Sequence, residues 1–475
     1  MDDLIKFSAR QVFNLLRSGE ITPYDLLNAA LLRIKETNPY INSIPTLCID
    51  RAENQINKMK STTDTKKPNV PIGFLYGIPL VIKDLTNVKG VRTTMGSKIF
   101  ADHIPKKSAE IVKTIEKNYG IILGKSNTPE FGAGGNTFNE VFGKTRNPWN
   151  TNLCAGGSSG GSAAALAAGQ VWLATGSDLG GSLRQPASYC SIVGLRPTPG
   201  LVHNGPKTLP FDNLSVDGPL ARKVEDIALF LDTLSKNNIF APSTLSHNHT
   251  SFLNAIDNPK LPKRIAFSHN LGITPISKEI EQVFTNTIKK LSNMGIELQE
   301  SDIDFSHAEK IFETLRAVNY VASFKSLPKS HVDILKPEIV WNINEGLSLT
   351  SAQIADAEIK RGQLVNKLIS FFKSFDLFIC PTVILPPYDV NKRYISEING
   401  KKLDNYIQSL ILASALSLTA CPVISIPCGF TSNNLPVGLQ IMSKWNSEAS
   451  LLSAAHIIEQ ELNIFNKVPI DPRTN

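Results

Sequence analysis

The sequence predicts a mixed α/β fold in which a β-sheet is sandwiched between helices. Short apolar segments with strand character alternate along the chain with longer segments whose apolar residues recur at helical spacing. Such alternation is typical of a sheet covered by helices. A chain of 475 residues could hold several domains, but no Pro/Gly/Ser-rich or charged linker is long enough to divide it. We therefore expect one domain over residues 1–475.

The first half of the chain begins with two predicted helices, at residues 8–18 and 22–37. Thr22 is a suitable N-cap and Pro23 suits the first helical turn, whereas Asn38-Pro39 is expected to end the second helix. The strands predicted next are 78–83, 121–125 and 171–175. The helices predicted between and before them are 108–118 and 162–169.

The second half shows the same alternation. Helices with an apolar face are predicted at 223–235, 276–294, 350–373 and 447–462, and strands at 377–380, 423–427 and 437–442. The least regular stretch is 237–262, where Pro242, Pro259 and Pro262 enclose a polar run. We interpret this stretch as a surface excursion of the single domain.

Composition and charge exclude several classes of function. The net charge is +7, but the lysines are scattered and no basic-aromatic cluster occurs, so no nucleic-acid partner is expected. His247-Asn248-His249 lacks Cys, Asp or Glu neighbours at ligand spacing, and we expect neither a metal nor another cofactor. The six cysteines show no paired spacing, the N-terminus has no secretory pattern, and no apolar run could span a bilayer. These features predict a cytoplasmic protein.

Two Gly/Ser clusters carry the clearest chemical signal. They are Gly156-Gly157-Ser158-Ser159-Gly160-Gly161-Ser162 and Gly176-Ser177-Asp178-Leu179-Gly180-Gly181-Ser182, which place Ser158 and Ser182 24 residues apart. Serine is a weak nucleophile near neutral pH and needs a base, yet none of the eight histidines lies in or beside these clusters. Lys83, which ends the apolar run 79–82, becomes a candidate base if burial lowers its pKa enough to leave the amine neutral.

The glycines of the second cluster suit an oxyanion-binding loop. Gly180 and Gly181 permit a tight turn that exposes consecutive N–H groups, and one such donor is worth roughly 3 kcal/mol in catalysis. The first cluster is followed by an alanine-rich segment with high helix propensity, which argues against a flexible linker. It does not end in Gly-Lys-Ser/Thr, which excludes a Walker loop. The polar approach Asn150-Thr151-Asn152 argues against the nucleophile elbow of esterases, which follows an apolar strand.

Together these motifs resemble those of the amidase signature family. The resemblance covers residues 70–235 and the closing segments 419–427 and 436–440. It implies that Ser182 is the nucleophile, Lys83 the base, and Ser158 the bridge between them, reached through a cis peptide after Gly157. It also implies that the backbone N–H groups of Leu179, Gly180 and Gly181 bind the oxyanion. Cys154-Ala155 stand where many members carry proline, a departure that concerns the stiffness of the loop.

The resemblance implies a single large α/β/α domain with a mixed, twisted central sheet. It further implies an amide hydrolase that converts a carboxamide to a carboxylic acid and ammonia or an amine through an acyl-serine. Esterase side activity and a homodimer are both compatible with it. The alternative is the glutaminase (A) subunit of a glutamyl-tRNA(Gln)/aspartyl-tRNA(Asn) amidotransferase.

The charges in the C-terminal half favour a hydrolase of small-molecule amides. Glutamine would require partners for its α-amine and α-carboxylate, yet residues 405–447 contain no Asp or Glu. We therefore expect a neutral acyl pocket, unless a distant charged residue such as Arg316 or Asp404 folds over the site. The candidate substrate contacts near the signature motifs are Met95, Phe131, Phe138 and Ile192.

Overall fold

Eleven strands form one mixed sheet at the centre of the fold. The computed structural model describes residues 3–62, 71–203, 205, 207–236, 250–301 and 303–474. The strands of the central sheet are β1 (Thr46–Leu47), β2 (Pro79–Lys83), β3 (Ile121–Ser126), β4 (Leu173–Asp178), β5 (Val193–Arg196), β6 (Val216–Ala221), β7 (Arg264–Phe267), β8 (Glu297–Glu300), β9 (Leu377–Pro381), β10 (Val423–Phe430) and β11 (Pro436–Ser443). Their order is β1-β3-β2-β4-β6-β5-β10-β11-β9-β7-β8. This arrangement confirms the predicted α/β class with a mixed sheet.

The sheet is parallel where the candidate lysine lies. β2 runs parallel to both of its neighbours, β3 and β4, whereas β4, β6, β5, β10, β11 and β9 pair antiparallel in turn. The carboxyl ends of parallel neighbours meet at one edge of a sheet. Lys83 at the end of β2 therefore lies beside Ser177 and Asp178 at the end of β4.

Helices of very different length flank the sheet. They are α1 (Ala9–Ser18), α2 (Pro23–Ile41), α3 (Ile49–Thr62), α4 (Glu110–Lys117), α5 (Gly160–Ala167), α6 (Arg184–Cys190), α7 (Val224–Leu234), α8 (Leu253–Asp257), α9 (Lys278–Ser292), α10 (Ala308–Phe324), α11 (Lys329–Val332), α12 (Pro337–Ser348), α13 (Ser351–Phe371), α14 (Ile411–Ser417) and α15 (Glu448–Leu462). Of the helices that the structure describes, none has the length and apolar character needed to cross a membrane.

Helix α5 carries the first Gly/Ser cluster into the interior. All eight of its residues are buried, and a helix that is apolar or small on every side is suited to such a place. A Cβ at Gly161 would lie 2.3 Å from the backbone nitrogen of Asn127, so glycine lets the helix approach the loop after β3. The helix thereby holds the first cluster beside the ends of β2 and β4.

The prediction that Asn38-Pro39 ends helix α2 is wrong. The helix continues to Ile41 with Pro39 inside its last turn and ends where Asn42 adopts a left-handed conformation with φ 48°. The side-chain oxygen of Asn38 accepts hydrogen bonds from the N–H groups of Ser43 and Ile44. Asn38 therefore stabilises the chain beyond the helix and does not terminate it.

Other boundaries differ near the Gly/Ser clusters. The strand predicted at 171–175 is β4, and the helix predicted at 162–169 is α5, so that each element reaches into a cluster. Asn150–Cys154 is a strand despite its polar residues, but it pairs with Arg146–Asn147 outside the central sheet. It therefore does not supply the central apolar strand that a nucleophile elbow requires.

The stretch predicted as a surface excursion is described only in part. Residues 237–249, which include His247-Asn248-His249, lie outside the described residues. The remainder contains the short helix α8, and Phe252 and Ile256 beside and within it are buried in the main hydrophobic core. This described part is consequently anchored to the domain.

Candidate active site

The side chain of Lys83 reaches a cluster of serine hydroxyls at the carboxyl edge of the sheet. Its Nζ lies 2.6 Å from Oγ of Ser158, 2.9 Å from Oγ of Ser159 and 3.0 Å from Oγ of Ser177. The residues of β2 are all buried, and Lys83 itself is 1% exposed. The structure thus brings two of the predicted catalytic side chains, Lys83 and Ser158, into direct contact.

The surroundings of Lys83 favour its neutral form. Burial lowers the pKa of Lys83 to about 7, although the carboxylates of Asp217 and Asp178 act in the opposite direction. The three closest polar groups are hydroxyls, which can donate a hydrogen bond to a neutral amine. A lysine with a pKa near the ambient pH meets the requirement for a general base.

Ser158 is held in a crowded loop at the start of α5. The Gly157–Ser158 peptide bond is cis, as the family resemblance implies. A Cβ at Gly157 would lie 2.7 Å from the carbonyl oxygen of Gly134, and a Cβ at Gly132 would lie 3.3 Å from Oγ of Ser158. The strip of residues 132–135 therefore packs directly against the loop that presents Ser158.

Ser182 lies next to this loop in the turn between β4 and α6. Its carbonyl oxygen accepts a hydrogen bond from the N–H of Ser159 at 3.2 Å, which ties the two Gly/Ser clusters together. The residue is half-buried, whereas Ser158 and Ser159 are buried. The backbone of Ser182 thus lies against the loop that carries Ser158 and Ser159, and the residue has access to solvent.

The loop before Ser182 offers fewer free donors than the sequence predicts. The N–H of Gly181 donates to Oδ1 of Asp178 at 2.8 Å, so the prediction that it binds an oxyanion does not fit this structure. The N–H groups of Leu179 and Gly180 donate to no described residue. Among the three N–H groups that the sequence indicates, these two are therefore unengaged and available to an oxyanion.

Both glycines in this loop are required by close packing. A Cβ at Gly180 would lie 2.4 Å from Cζ of Phe312 on α10. Gly181 has φ +115°, and a Cβ there would lie 2.5 Å from Cβ of Ala413 on α14. Helices α10 and α14 therefore pack directly against residues 179–181, which we call the oxyanion loop after their predicted role.

Asp178 has a structural role that the sequence reasoning missed. Its carboxylate accepts hydrogen bonds from Nε and Nη2 of Arg184, both at 3.0 Å, and Arg196 lies 3.4 Å away. Burial opposes the negative charge, but the two guanidiniums hold the pKa of Asp178 well below its usual range. The acidic residue inside an otherwise neutral Gly/Ser cluster was the available signal. The network fixes the turn that carries Ser182.

The four candidate substrate contacts occupy different environments. Met95 and Phe131 are adjacent, since the N–H of Phe131 donates to the carbonyl of Met95 at 2.8 Å, and both are half-buried. Phe138 is half-buried beneath Nζ of Lys336, which lies 4.9 Å from its ring centre. Ile192 is 0% exposed within the main core. The structure therefore gives Met95, Phe131 and Phe138 accessible surface near the site, but leaves Ile192 with none for a substrate.

Comparison with known proteins places these motifs in a wider context. The profile of a family described as Amidase matches residues 25–452 of the chain. The chain is 30% identical to the (A) subunit of the Glutamyl-tRNA(Gln) amidotransferase of Halothermothrix orenii, over 98% of this chain and 99% of that protein. It is also 30% identical to an acylamidase of Rhodococcus erythropolis, over 98% of this chain and 97% of that protein.

Solved structures show the same fold. A bacterial aryl acylamidase described as a member of the amidase signature enzymes superposes with a TM-score of 0.88. The match covers 97% of this chain and 98% of that chain at 24% sequence identity. The likeness therefore extends over nearly the whole chain.

Proposed function

Since this chain belongs to the amidase signature family and is an amide hydrolase, we propose that it cleaves small-molecule carboxamides through an acyl-enzyme on Ser182. In this proposal Ser182 is the nucleophile, Ser158 is the bridging hydroxyl and Lys83 is the base. The observation that carries the proposal is the 2.6 Å contact between Nζ of Lys83 and Oγ of Ser158. Burial lowers the pKa of Lys83 to about 7, so that a neutral amine is available at this contact to accept the proton of Ser158.

Acylation begins with two proton transfers in the same direction. Neutral Lys83 takes the proton of the Ser158 hydroxyl, and Ser158 takes the proton of the Ser182 hydroxyl. At the same time Oγ of Ser182 attacks the carbonyl carbon of the amide. The carbonyl π-electrons move to oxygen, where the N–H groups of Leu179 and Gly180 bind the negative charge. When the C–N bond breaks, the proton on Lys83 returns through Ser158 to the departing nitrogen.

Deacylation repeats these steps with water. A water molecule loses a proton to the Ser158–Lys83 pair and attacks the acyl carbon, and the proton then returns to Oγ of Ser182. The products are a carboxylic acid and ammonia or an amine, and the three side chains recover their starting protonation. An ester with a good alkoxide leaving group would follow the same route, which accounts for an esterase side activity.

A stand-alone hydrolase fits this chain better than a glutaminase subunit. Residues 405–447 contain no Asp or Glu for the α-amine of glutamine, and Asp404 is exposed and accepts a hydrogen bond from Gln408. The second candidate nevertheless has a specific observation in its favour, because the relative from Halothermothrix orenii belongs to an amidotransferase and is similar over nearly the full length of both chains. Rates of ammonia release from glutamine and from simple amides separate the two functions.

The nucleophile assignment is tested by labelling with a fluorophosphonate probe. We expect mass spectrometry of the digested protein to locate the probe on Ser182, and Ser182→Ala to lose both labelling and amide hydrolysis. Ser191→Ala is a matched control, since Ser191 is a buried serine at the end of α6. A label on Ser158 or Ser159 in the unmodified protein would disprove the assignment.

The proposal also includes a cytoplasmic location and a homodimer. The six cysteines are free, and five of them are buried. Unpaired buried thiols are typical of proteins from a reducing compartment. Cell fractionation and analytical ultracentrifugation test these two points independently of the chemistry.

A further inference from the structure

Helix α10 carries a charged side chain one turn beyond the residue that covers the oxyanion loop. Phe312 of this helix packs against Gly180, and Arg316 follows four residues later, roughly 6 Å further along the helix axis. Residues four apart lie on the same helix face. The guanidinium of Arg316 is thus directed to the same side of α10 as the ring that covers the oxyanion loop.

The partners of Arg316 are neutral groups. Its Nε donates to the side-chain oxygen of Asn342 at 3.2 Å, and its Nη2 donates to the hydroxyls of Tyr320 at 2.8 Å and Tyr406 at 2.7 Å. The residue is only 5% exposed. None of the described carboxylates forms an ion pair with Arg316, and its Nη1 donates to no described residue. A buried guanidinium ordinarily pairs with an anion, because an uncompensated buried charge is costly.

The nearby charges do not compensate Arg316. The charges of Arg316, Arg393, Glu338 and Glu130 all act on Lys336. Three cations, Lys336 among them, and two carboxylates therefore share this part of the molecule. Both carboxylates already have partners. Arg393 donates to both oxygens of Glu338, at 2.9 and 2.6 Å, and Glu130 accepts from Ser97 and from the backbone N–H of Lys336. The cluster therefore carries one positive charge more than its carboxylates balance.

This charged cluster borders open space. A cavity lined in part by Phe138, Lys336 and Arg393 lies beside it. The cluster also contacts the strip of residues 132–135 that packs against the Ser158 loop, because Nζ of Lys336 donates a hydrogen bond to the carbonyl of Ala133. The cluster thus borders this cavity through Glu130, Lys336 and Arg393, and Lys336 also reaches the strip beside Ser158.

We propose that Arg316 binds a carboxylate carried by the amide substrate, so that the preferred substrates are anionic amides. This inference rests on the proposed function, since it assigns a substrate class to the same site. A guanidinium presents paired N–H groups that match a carboxylate, and the free Nη1 provides the donors that the tyrosines and Asn342 leave unused. The substrate carboxylate balances the excess positive charge in the cluster.

The same geometry argues against an α-amino acid as the substrate. Glutamine adds an α-amine to the α-carboxylate, and the two carboxylates of the cluster are already bound by Arg393, Ser97 and Lys336. A monoamide of a dicarboxylic acid supplies the carboxylate without the amine. Arg316 on α10 thereby supplies the exception that the sequence left open to a neutral pocket.

The experiment compares matched substrate pairs in which only one partner carries a carboxylate. One pair is glutaric acid monoamide and pentanamide, which places the carboxylate on the acyl part. The other is N-pentanoylglycine and N-pentanoylmethylamine, which places it on the departing amine. We expect kcat/KM of the anionic partner to exceed that of the neutral one by at least about tenfold in one of the pairs, and that pair identifies the side of the substrate that Arg316 reads.

Variants at position 316 decide whether this residue is responsible. We expect Arg316→Gln to reduce the anionic-to-neutral ratio at least tenfold, and Arg316→Lys to retain part of it because the charge remains without the paired donors. The matched control is Arg222→Gln, which alters another buried arginine whose hydrogen-bond acceptors among the described residues are the backbone carbonyls of Ile5 and Phe7. Thermal unfolding of each variant shows that the comparison is made on folded protein.

Two outcomes would overturn the inference while leaving the proposed function intact. The first is labelling of Ser182 by a fluorophosphonate together with equal or faster hydrolysis of the neutral partner in both pairs. The second is a substrate ratio in Arg316→Gln that equals that of the unmodified protein. Failure of the proposed function is distinguishable, because then neither the labelling of Ser182 nor the hydrolysis of any of the four amides is observed.

Discussion

Two buried lysines on neighbouring strands show how surroundings decide the role of an ammonium group. Lys83 ends β2 and Lys125 lies near the end of β3, with exposures of 1% and 0%. Because Lys125 is aligned with Ile82, the residue before Lys83, the two side chains leave the sheet on opposite faces. Burial lowers the pKa of both lysines. Their polar partners, however, are different.

Lys125 has the environment of a charged structural residue. Its Nζ lies 3.0 Å from Oδ1 of Asp84 and also donates to the carbonyl of Thr86 and the hydroxyl of Thr93. Lys83 instead meets three serine hydroxyls, and the carboxylates that influence it are not in contact with it. The comparison indicates that burial without a direct counter-ion suits Lys83 to the proposed role of base, whereas the ion pair with Asp84 suits Lys125 to a structural role.

The largest expected effect concerns activity. We expect Lys83→Met to lower kcat for amide hydrolysis by about 10³-fold or more, because general-base catalysis is removed. Lys83→Arg should lose as much, since a guanidinium stays protonated. Initial rates with a chromogenic anilide measure both variants. An arginine variant with a near-normal rate would reduce Lys83 to an electrostatic role and remove the contrast with Lys125.

The next effect concerns stability and reverses the order of the two lysines. We expect Lys125→Met to lower the free energy of unfolding by about 3–5 kcal/mol, because it leaves the buried Asp84 carboxylate without its cation. Lys83→Met leaves no direct carboxylate partner behind and should change this free energy much less. Urea unfolding followed by fluorescence compares them. Equal urea midpoints for the two variants would contradict the distinction.

The contrast between the two lysines also marks what the sequence could predict. The apolar run before Lys83 and the paired Gly/Ser clusters indicate the reactive residue types, and the buried strand β2 follows from the same pattern. The sequence could not place Nζ of Lys83 beside Ser158, because that contact depends on the parallel pairing of β2 with β4. Nor could it show that the carboxylate of Asp178 accepts a hydrogen bond from the N–H of Gly181, because that contact depends on the local path of the turn.

Helix α10 was missed for a different reason. Its buried face includes Arg316, Thr314 and Tyr320 among apolar residues, whereas a search for apolar periodicity treats such residues as exposed. Strand β6 was missed because Gly218 and Pro219 interrupt its pattern. The residues that break the apolar pattern in α10 and β6 therefore lie in the candidate site or near it.

The pH dependence of the reaction sharpens the assignment of the base. The pKa of Lys83 is lowered to about 7, so the neutral amine is the minor form below that pH and the major form above it. We therefore expect kcat/KM for a neutral amide to rise with pH and to level off above an apparent pKa near 7. Stopped assays between pH 5 and pH 9 in a constant-ionic-strength buffer measure the profile. A rate that falls with increasing pH across this range would contradict a lysine base.

The smallest expected effect tests whether a distant carboxylate tunes Lys83. Asp217 on β6 lies opposite Ser177 in the register of β4, and its charge raises the pKa of Lys83 against the larger lowering by burial. Removing that charge with Asp217→Asn should therefore lower the pKa of Lys83 further and move the rising limb of the pH profile to lower pH. The expected displacement is less than about one unit, because the two groups are not in direct contact.

The control for this displacement is a charge change far from Lys83. Glu297→Gln removes a carboxylate from β8 at the opposite end of the sheet and should leave the profile where it is. A displacement of the Asp217→Asn profile to higher pH would have the wrong sign for a lysine base, because it would mean that the carboxylate had been stabilising the neutral rather than the charged form. The group that titrates in the profile would then not be Lys83, and the assignment of the base would have to move to another group.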